Sequence, residues 1–310
     1  MVKSYFSHGK ILLAGEYAVM CGVEALALPV KAGQWQHVWE MPAKGVSKLV
    51  WQSKDADGTI WFECRIDTDI MHVSETSHSA YSDTLLKLLL QIKEQKPDFF
   101  LHKNIRLETE CEFDRTFGLG SSSTMVCNLA KWSGVDAHDL QERVLGGSGY
   151  DIAVGNLGKP LVYWREQTEP NWSAWQLSGD FTQHWYLAFP GKKQNSREAL
   201  NDVKKQLEII QTDVALLQQM NACIQAIKTP RSLPMLEAML EMWQALLAQR
   251  LDLPRPYETL GLSPVKGGLC KYLGAWGGDV LLINRTYLEA NESAFENMQL
   301  VPWNEFVISI

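Results

Sequence analysis

Between residues 105 and 132 a strand pattern, a glycine-serine turn and an apolar helical run follow one another directly, an order that puts a helix start beside a sheet. Ile105, Leu107, Thr109 and Cys111 alternate with polar or charged residues, the period of a strand with one face in a core. Gly118-Leu119-Gly120-Ser121-Ser122-Ser123 then leads into the apolar run from Met125 to Trp132. Glycines let backbone N–H groups converge, and a helix start presents unpaired donors with a partial positive charge. Such a turn suits a phosphate chain, and its serine hydroxyls suit phosphate oxygens or a Mg²⁺ ion. A serine N-cap on an ordinary turn fits the hexapeptide equally well.

The familiar phosphate signatures are absent from the sequence. No G-x-x-x-x-G-K-[ST] occurs, and Gly118-x-Gly120 lacks the third glycine of a dinucleotide-binding turn. A serine hydrolase has no G-x-S-x-G elbow to rest on. The charge balance, 29 basic against 36 acidic residues for a net −7, carries no electrostatic footprint for nucleic acid, although a local basic pocket for a small phosphorylated ligand stays compatible with it. Six scattered cysteines form no Cys-x-x-Cys pair, the pattern expected of reduced core thiols in a cytosolic protein. His8, His37, His72, His78, His102, His138 and His184 form no spaced cluster, so none is assigned to a metal. Lys10 and Glu16 interrupt the apolar stretch Ile11 to Ala14 before a signal-peptide core could form, and no window approaches a membrane span. The expectation is a soluble, cytoplasmic protein with no membrane partner.

At 310 residues with 46% hydrophobic content, two lobes are expected, each able to bury a core. Leu49 to Ser53 and Thr59 to Ile66 read as a hairpin around Asp57-Gly58. Tyr81 to Lys96 reads as an amphipathic helix ended by Pro97. A helix from Ala137 to Leu145, the turn Gly146-Gly147-Ser148-Gly149 and the strand Pro160 to Trp164 close the first lobe, placed at residues 1–170. The second, 171–310, holds a strand from Trp185 to Phe189, one or two long helices over 197–227, a break at Pro230 and Pro234, a helix over 235–250, and a strand from Val280 to Ile283.

Three segments together resemble a known family, the GHMP kinases. Gly9-Lys10-Ile11-Leu12-Leu13-Ala14-Gly15-Glu16-Tyr17-Ala18-Val19 is similar to the family's first strand and loop. Gly118 to Ser123 resembles its phosphate-binding loop, and Lys271-Tyr272-Leu273-Gly274-Ala275-Trp276-Gly277-Gly278-Asp279 resembles its C-terminal glycine-rich motif. They occur in the family's order across almost the whole chain. The resemblance implies an α+β, two-lobed fold, with an N-terminal lobe like ribosomal protein S5 domain 2 and a ferredoxin-like C-terminal lobe.

It also implies roles. Gly118, Leu119, Gly120, Ser121, Ser122 and Ser123 would bind ATP, and Ser122 with Glu142 would hold Mg²⁺. Asp151, in the segment Gly147-Ser148-Gly149-Tyr150-Asp151-Ile152-Ala153, would be the catalytic base, with Lys10 offsetting charge on the transferred phosphoryl group. Outside the resemblance, an aspartate in a glycine turn is a turn former, Lys10 a solvated strand-end lysine and Glu142 a helix-surface salt-bridge residue. Glu16, Tyr17, Gly274, Ala275 and Trp276 fall on the acceptor side; Glu16 could instead orient its loop, and Trp276 either contacts a ligand or packs. Lys192, Lys193 and Arg197 suit a second phosphate or plain solvation. The implied activity is ATP-dependent phosphorylation of a small-molecule alcohol, with mevalonate as leading acceptor and phosphomevalonate or a sugar as alternatives. A non-catalytic nucleotide-binding protein is the reading from another class. A homodimer stays open.

Overall fold

The structure, a computed structural model, describes residues 2–191, 196–274, 276 and 280–309. The chain forms two compact units that interleave in sequence: Met1–Gly9, Ala32–Arg115 and Gly120–Asn156 make the first, and Lys10–Lys31, Thr116–Leu119 and Leu157–Ile310 the second. Two long strands, β1 (Val2–Ala14) and β2 (Ala25–Pro42), run through that division, so each gives one end to either unit.

In the first unit, β3 (Lys48–Lys54), β4 (Ile60–Asp67), β5 (His72–Thr76), helix α1 (Ser79–Gln95) and β6 (Lys103–Cys111) precede helices α2 (Ser121–Ser133), α3 (Ala137–Val144) and α4 (Tyr150–Leu157). The strand order is β5-β4-β3-β6-β2, with β3 and β6 parallel and the other neighbours antiparallel. The expected hairpin is β3–β4, its turn closed by the Thr59 N–H donating to Asp57 Oδ1 at 2.9 Å. Leu85, Leu88, Leu89 and Ile92 on α1 recur at helical spacing and are buried in one core with Leu49, Trp51, Leu107, Val126 and Leu140. Each such side chain contributes roughly 1.5–3 kcal/mol on burial, which offsets the cost of ordering the helix.

The segment after Gly149 departs from expectation. Asp151 was expected in a glycine turn, yet it stands in the first turn of α4, with Gly149 at φ 85° just before the helix. Eight residues are too few for Ile152 to Val154 to declare a helical period. Gly155 lets this helix sit close to α2, because a Cβ there would lie 3.3 Å from Cys127 Sγ.

The second unit continues with β7 (Leu161–Glu166), β8 (Glu169–Ala174), the single-turn α5 (Gly179–Thr182), β9 (Trp185–Phe189), α6 (Ser196–Asp202), α7 (Lys204–Thr212), α8 (Val214–Lys228) and α9 (Leu233–Leu251). It ends with α10 (Pro256–Thr259), β10 (Cys270–Leu273), β11 (Val280–Asn284), α11 (Arg285–Ala290), α12 (Glu292–Phe295), β12 (Gln299–Pro302) and α13 (Trp303–Phe306). A four-stranded antiparallel sheet has the order β10-β11-β9-β12. The first end of β2 pairs with β7 through Ala25–Ala27, and β7 pairs with β8.

Two expectations here need correction. Residues 197–227 hold three helices in place of one or two; the second break falls where Asp213 accepts from the Leu216 N–H at 2.9 Å and caps α8 inside the periodic run. Pro234 does not break the pattern; it sits in the first turn of α9, where its missing N–H has no helical partner to lose, behind the Ser232 cap. All six cysteines are buried, and none is disulfide-bonded.

Candidate active site

The residues singled out in the sequence divide between the units. Gly120 to Ser123, Glu142 and Asp151 belong to the first, and Lys10, Glu16, Tyr17, Gly118, Leu119, Gly274 and Trp276 to the second. Ala275, Lys192 and Lys193 lie outside the described residues, as does the side chain of Arg197.

In the first unit, α2 begins on Gly120, whose φ of 89° is a left-handed conformation open to glycine. No side chain caps this end, and the Thr124 N–H makes the helix's opening bond, to the Gly120 carbonyl at 2.9 Å. The amides of Ser121, Ser122 and Ser123 therefore precede the helical ladder, the arrangement in which a helix end attracts an anion. The three serines are not equivalent. Ser123 is buried and donates its hydroxyl to Gly120 O at 2.8 Å, Ser121 is half-buried, and Ser122 is exposed.

A polar network, buried at Ser7, Gln34, Thr124 and Asn128, anchors this helix. Asn128 accepts from Ser7 Oγ at 2.8 Å and donates to Gln34 O at 2.8 Å, while Thr124 Oγ1 donates to Gln34 Oε1 at 3.1 Å. Lys131 Nζ donates to Phe6 O at 2.6 Å and to Ser7 Oγ at 2.8 Å. Burial pushes the Lys131 ammonium below the ordinary lysine range. Directional bonds at several points along α2 hold its N-terminus in one register where apolar packing alone would tolerate slippage.

Asp151 Oδ1 accepts from Gln141 Nε2 at 3.1 Å and from the Ile152 N–H at 3.1 Å. Gln141, buried on α3, also donates to Gly146 O at 3.3 Å, so one amide both shapes the glycine turn and orients the carboxylate. Sequence reasoning missed Gln141. It chose the neighbouring Glu142, which is exposed on the same helix. The available signal was weak: an uncharged amide ten residues before an aspartate on a short helix.

In the second unit Lys10 is 8% exposed, which sets aside the solvated strand-end reading. Its backbone N–H donates to Leu119 O at 2.9 Å, and its Nζ to Gly118 O at 2.9 Å. The first motif and the opening of the glycine-serine loop are thus tied by main chain and side chain together. Gly118, at φ 67°, turns its carbonyl toward the ammonium from a left-handed conformation.

The loop after β1 is held from several sides. Gly15, at φ 100°, passes so close to β2 that a Cβ would meet Ala25 Cα at 2.5 Å. Glu16 is buried, and its two oxygens accept from different donors: Oε1 from Lys271 Nζ and Oε2 from Trp243 Nε1 at 2.7 Å. Lys271, fully buried on β10, donates further to Tyr272 O at 2.7 Å. Burial pushes the Glu16 carboxyl up, and the Lys271 charge and the Trp243 indole pull the other way. Tyr17 follows at φ 56°, and its hydroxyl accepts the Trp276 N–H at 3.0 Å. Trp276 is 4% exposed, with its indole N–H on Pro254 O and its ring 5.6 Å from that of Tyr272, so its side chain is packed. Gly274, at φ 101°, ends β10.

Among the described residues no group of three or more His, Cys, Asp or Glu surrounds a metal position. Ser122 and Glu142 each present an exposed oxygen, the ligand type Mg²⁺ takes.

No protein-family profile matches the sequence, and a search of curated proteins finds no match. Solved structures do match. The chain overlays on L. major mevalonate kinase in complex with R-mevalonate at a TM-score of 0.67 and 15% identity, covering 99% of this chain and 96% of that one. Streptococcus pneumoniae phosphomevalonate kinase, in complex with phosphomevalonate and AMPPNP, gives 0.67 and 15% over 96% and 98% of the two chains. Lactococcus lactis galactokinase complexed with galactose gives 0.66 and 12% over 97% and 92%. The chain has the α+β fold of the GHMP kinases, as its three motifs implied. No helix is long and apolar enough to cross a membrane among the described residues.

Proposed function

We propose that the protein is an ATP-dependent small-molecule kinase that transfers the γ-phosphoryl group to an alcohol, with mevalonate as acceptor and phosphomevalonate as the runner-up. The observation that carries this reading is the start of α2: a left-handed glycine, no side-chain cap and three amides ahead of the helical ladder, on the fold of the GHMP kinases. Those amides, with the positive end of the helix, bind phosphate oxygens. Ser122 and Glu142 would hold Mg²⁺, which when bound shields the phosphate charge.

Asp151 acts as the base. With Oδ1 held by Gln141, the carboxylate takes the acceptor's proton as the new O–P bond forms and the bond to ADP breaks. Lys10 offsets negative charge at the transferred group from its position beside Gly118. Catalysis of this kind rests on alignment and charge, which is what hydrogen-bonded, partly buried side chains supply.

A coupled ADP-release assay with mevalonate, phosphomevalonate and galactose tests the reading. Mevalonate turnover in excess of the others is expected. ATP binding without turnover of any acceptor would favour a non-catalytic nucleotide-binding protein.

A further inference from the structure

Glu16 has both carboxylate oxygens occupied inside the protein, by Lys271 and by Trp243, and it is 2% exposed. A group so engaged is poorly placed to bind an acceptor itself. The next residue is the reverse case: Tyr17 adopts φ 56°, a conformation an aromatic residue reaches only when its surroundings over-determine it. The Met20 N–H on the Tyr17 carbonyl at 2.9 Å acts within the loop, and two long-range contacts act on it from outside, the ion pair immediately before it and the Trp276 N–H on its own hydroxyl. Both lead to β10 and the turn that follows it. Gln244 of α9 steadies the strand, donating to Cys270 O at 2.8 Å and accepting the Tyr272 N–H at 2.9 Å.

We infer that Glu16–Lys271 and Tyr17–Trp276 form a two-point clasp that sets the conformation of the Gly15–Gly22 loop and, through it, affinity for the acceptor. The second half of the inference rests on the kinase reading; the first does not. Glu16 and Lys271 are positioning residues here. Trp243 completes the clasp as the donor that keeps the second carboxylate oxygen satisfied.

The experiment uses the full chain and three variants. Lys271→Met leaves a buried carboxylate without its counter-charge and lowers the melting temperature. Glu16→Gln/Lys271→Met removes both charges, keeps an acceptor for Trp243 and offers an amide to the Tyr272 carbonyl, so it regains at least half of that loss. Tyr17→Phe opens the other point without burying a charge. Hydrogen exchange of the 15–22 segment should quicken about tenfold in the double variant and in Tyr17→Phe, while peptides from α2 keep the native rate. Acceptor KM should rise about tenfold in both, with ATP KM unchanged.

A fold-stabilising ion pair with no hold on the loop would give a double variant with native exchange at 15–22, and that result overturns the clasp. Native acceptor KM with quickened exchange overturns its link to the acceptor. If the native protein phosphorylates none of the acceptors, the kinase reading fails, and exchange alone decides the clasp.

Discussion

The carboxylates of Asp151 in the first unit and Glu16 in the second are held in opposite ways. In the first, Ser122 is exposed, the amides of Ser121 to Ser123 stand ahead of the helical ladder, and Asp151 is held by a neutral amide. In the second, Glu16 is buried and paired with Lys271. A neutral partner orients a carboxylate without adding a positive charge beside it. A charged partner in a dry environment gives rigidity and withdraws both groups from ligand chemistry. On the proposed reading, the contrast separates a carboxylate that reacts from one that holds.

Breaking the holding side should cost most in stability. Lys271→Met is expected to destabilise the fold by about 3–5 kcal/mol, the penalty of one buried charge left without its partner. A fall of less than a degree in the thermal midpoint would mean the pair is not structural. On the reacting side, Asp151→Asn should leave the midpoint near native and lower kcat by about 10² or more, with ATP affinity preserved in a nucleotide titration. Near-native turnover would remove Asp151 from its role.

Gln141→Leu sharpens the comparison, since it removes the amide that orients Asp151. It is expected to reduce kcat about tenfold, and Gln141→Asn should not restore it, its side chain being one methylene shorter. Equal losses of stability and activity would make Gln141 a packing residue only. The smallest effect is expected of Ser122→Ala, a several-fold rise in the Mg²⁺ concentration needed for half-maximal rate, because water can replace one hydroxyl. An unchanged requirement would point the ion to other ligands.

How much of this could be read from the sequence depended on distance along the chain. The strand, turn and helix around Gly118–Ser123 declare themselves through local periodicity, as do the hairpin and α1. Pro234 and Asp213 were legible in principle, but a proline reads as a breaker and as a first-turn residue alike, and a cap inside a periodic run is masked by that run. Glu16 and Lys271 are 255 residues apart, and each was noticed only as part of a motif. Their pairing leaves no trace in periodicity because a single long-range contact imposes no repeat. Gln141 was illegible for another reason: its function comes from α4, a helix too short to be foreseen.

The interleaving of the two units has a practical outcome for anyone dividing the gene. A fragment starting at residue 171 would lack Lys10–Lys31, and with it Glu16, while still encoding Lys271. Such a product would carry Lys271 without the carboxylate that pairs with it in the whole chain. Supplying residues 1–170 as a separate polypeptide, in the manner of split-protein complementation, is the route by which that fragment would be rescued.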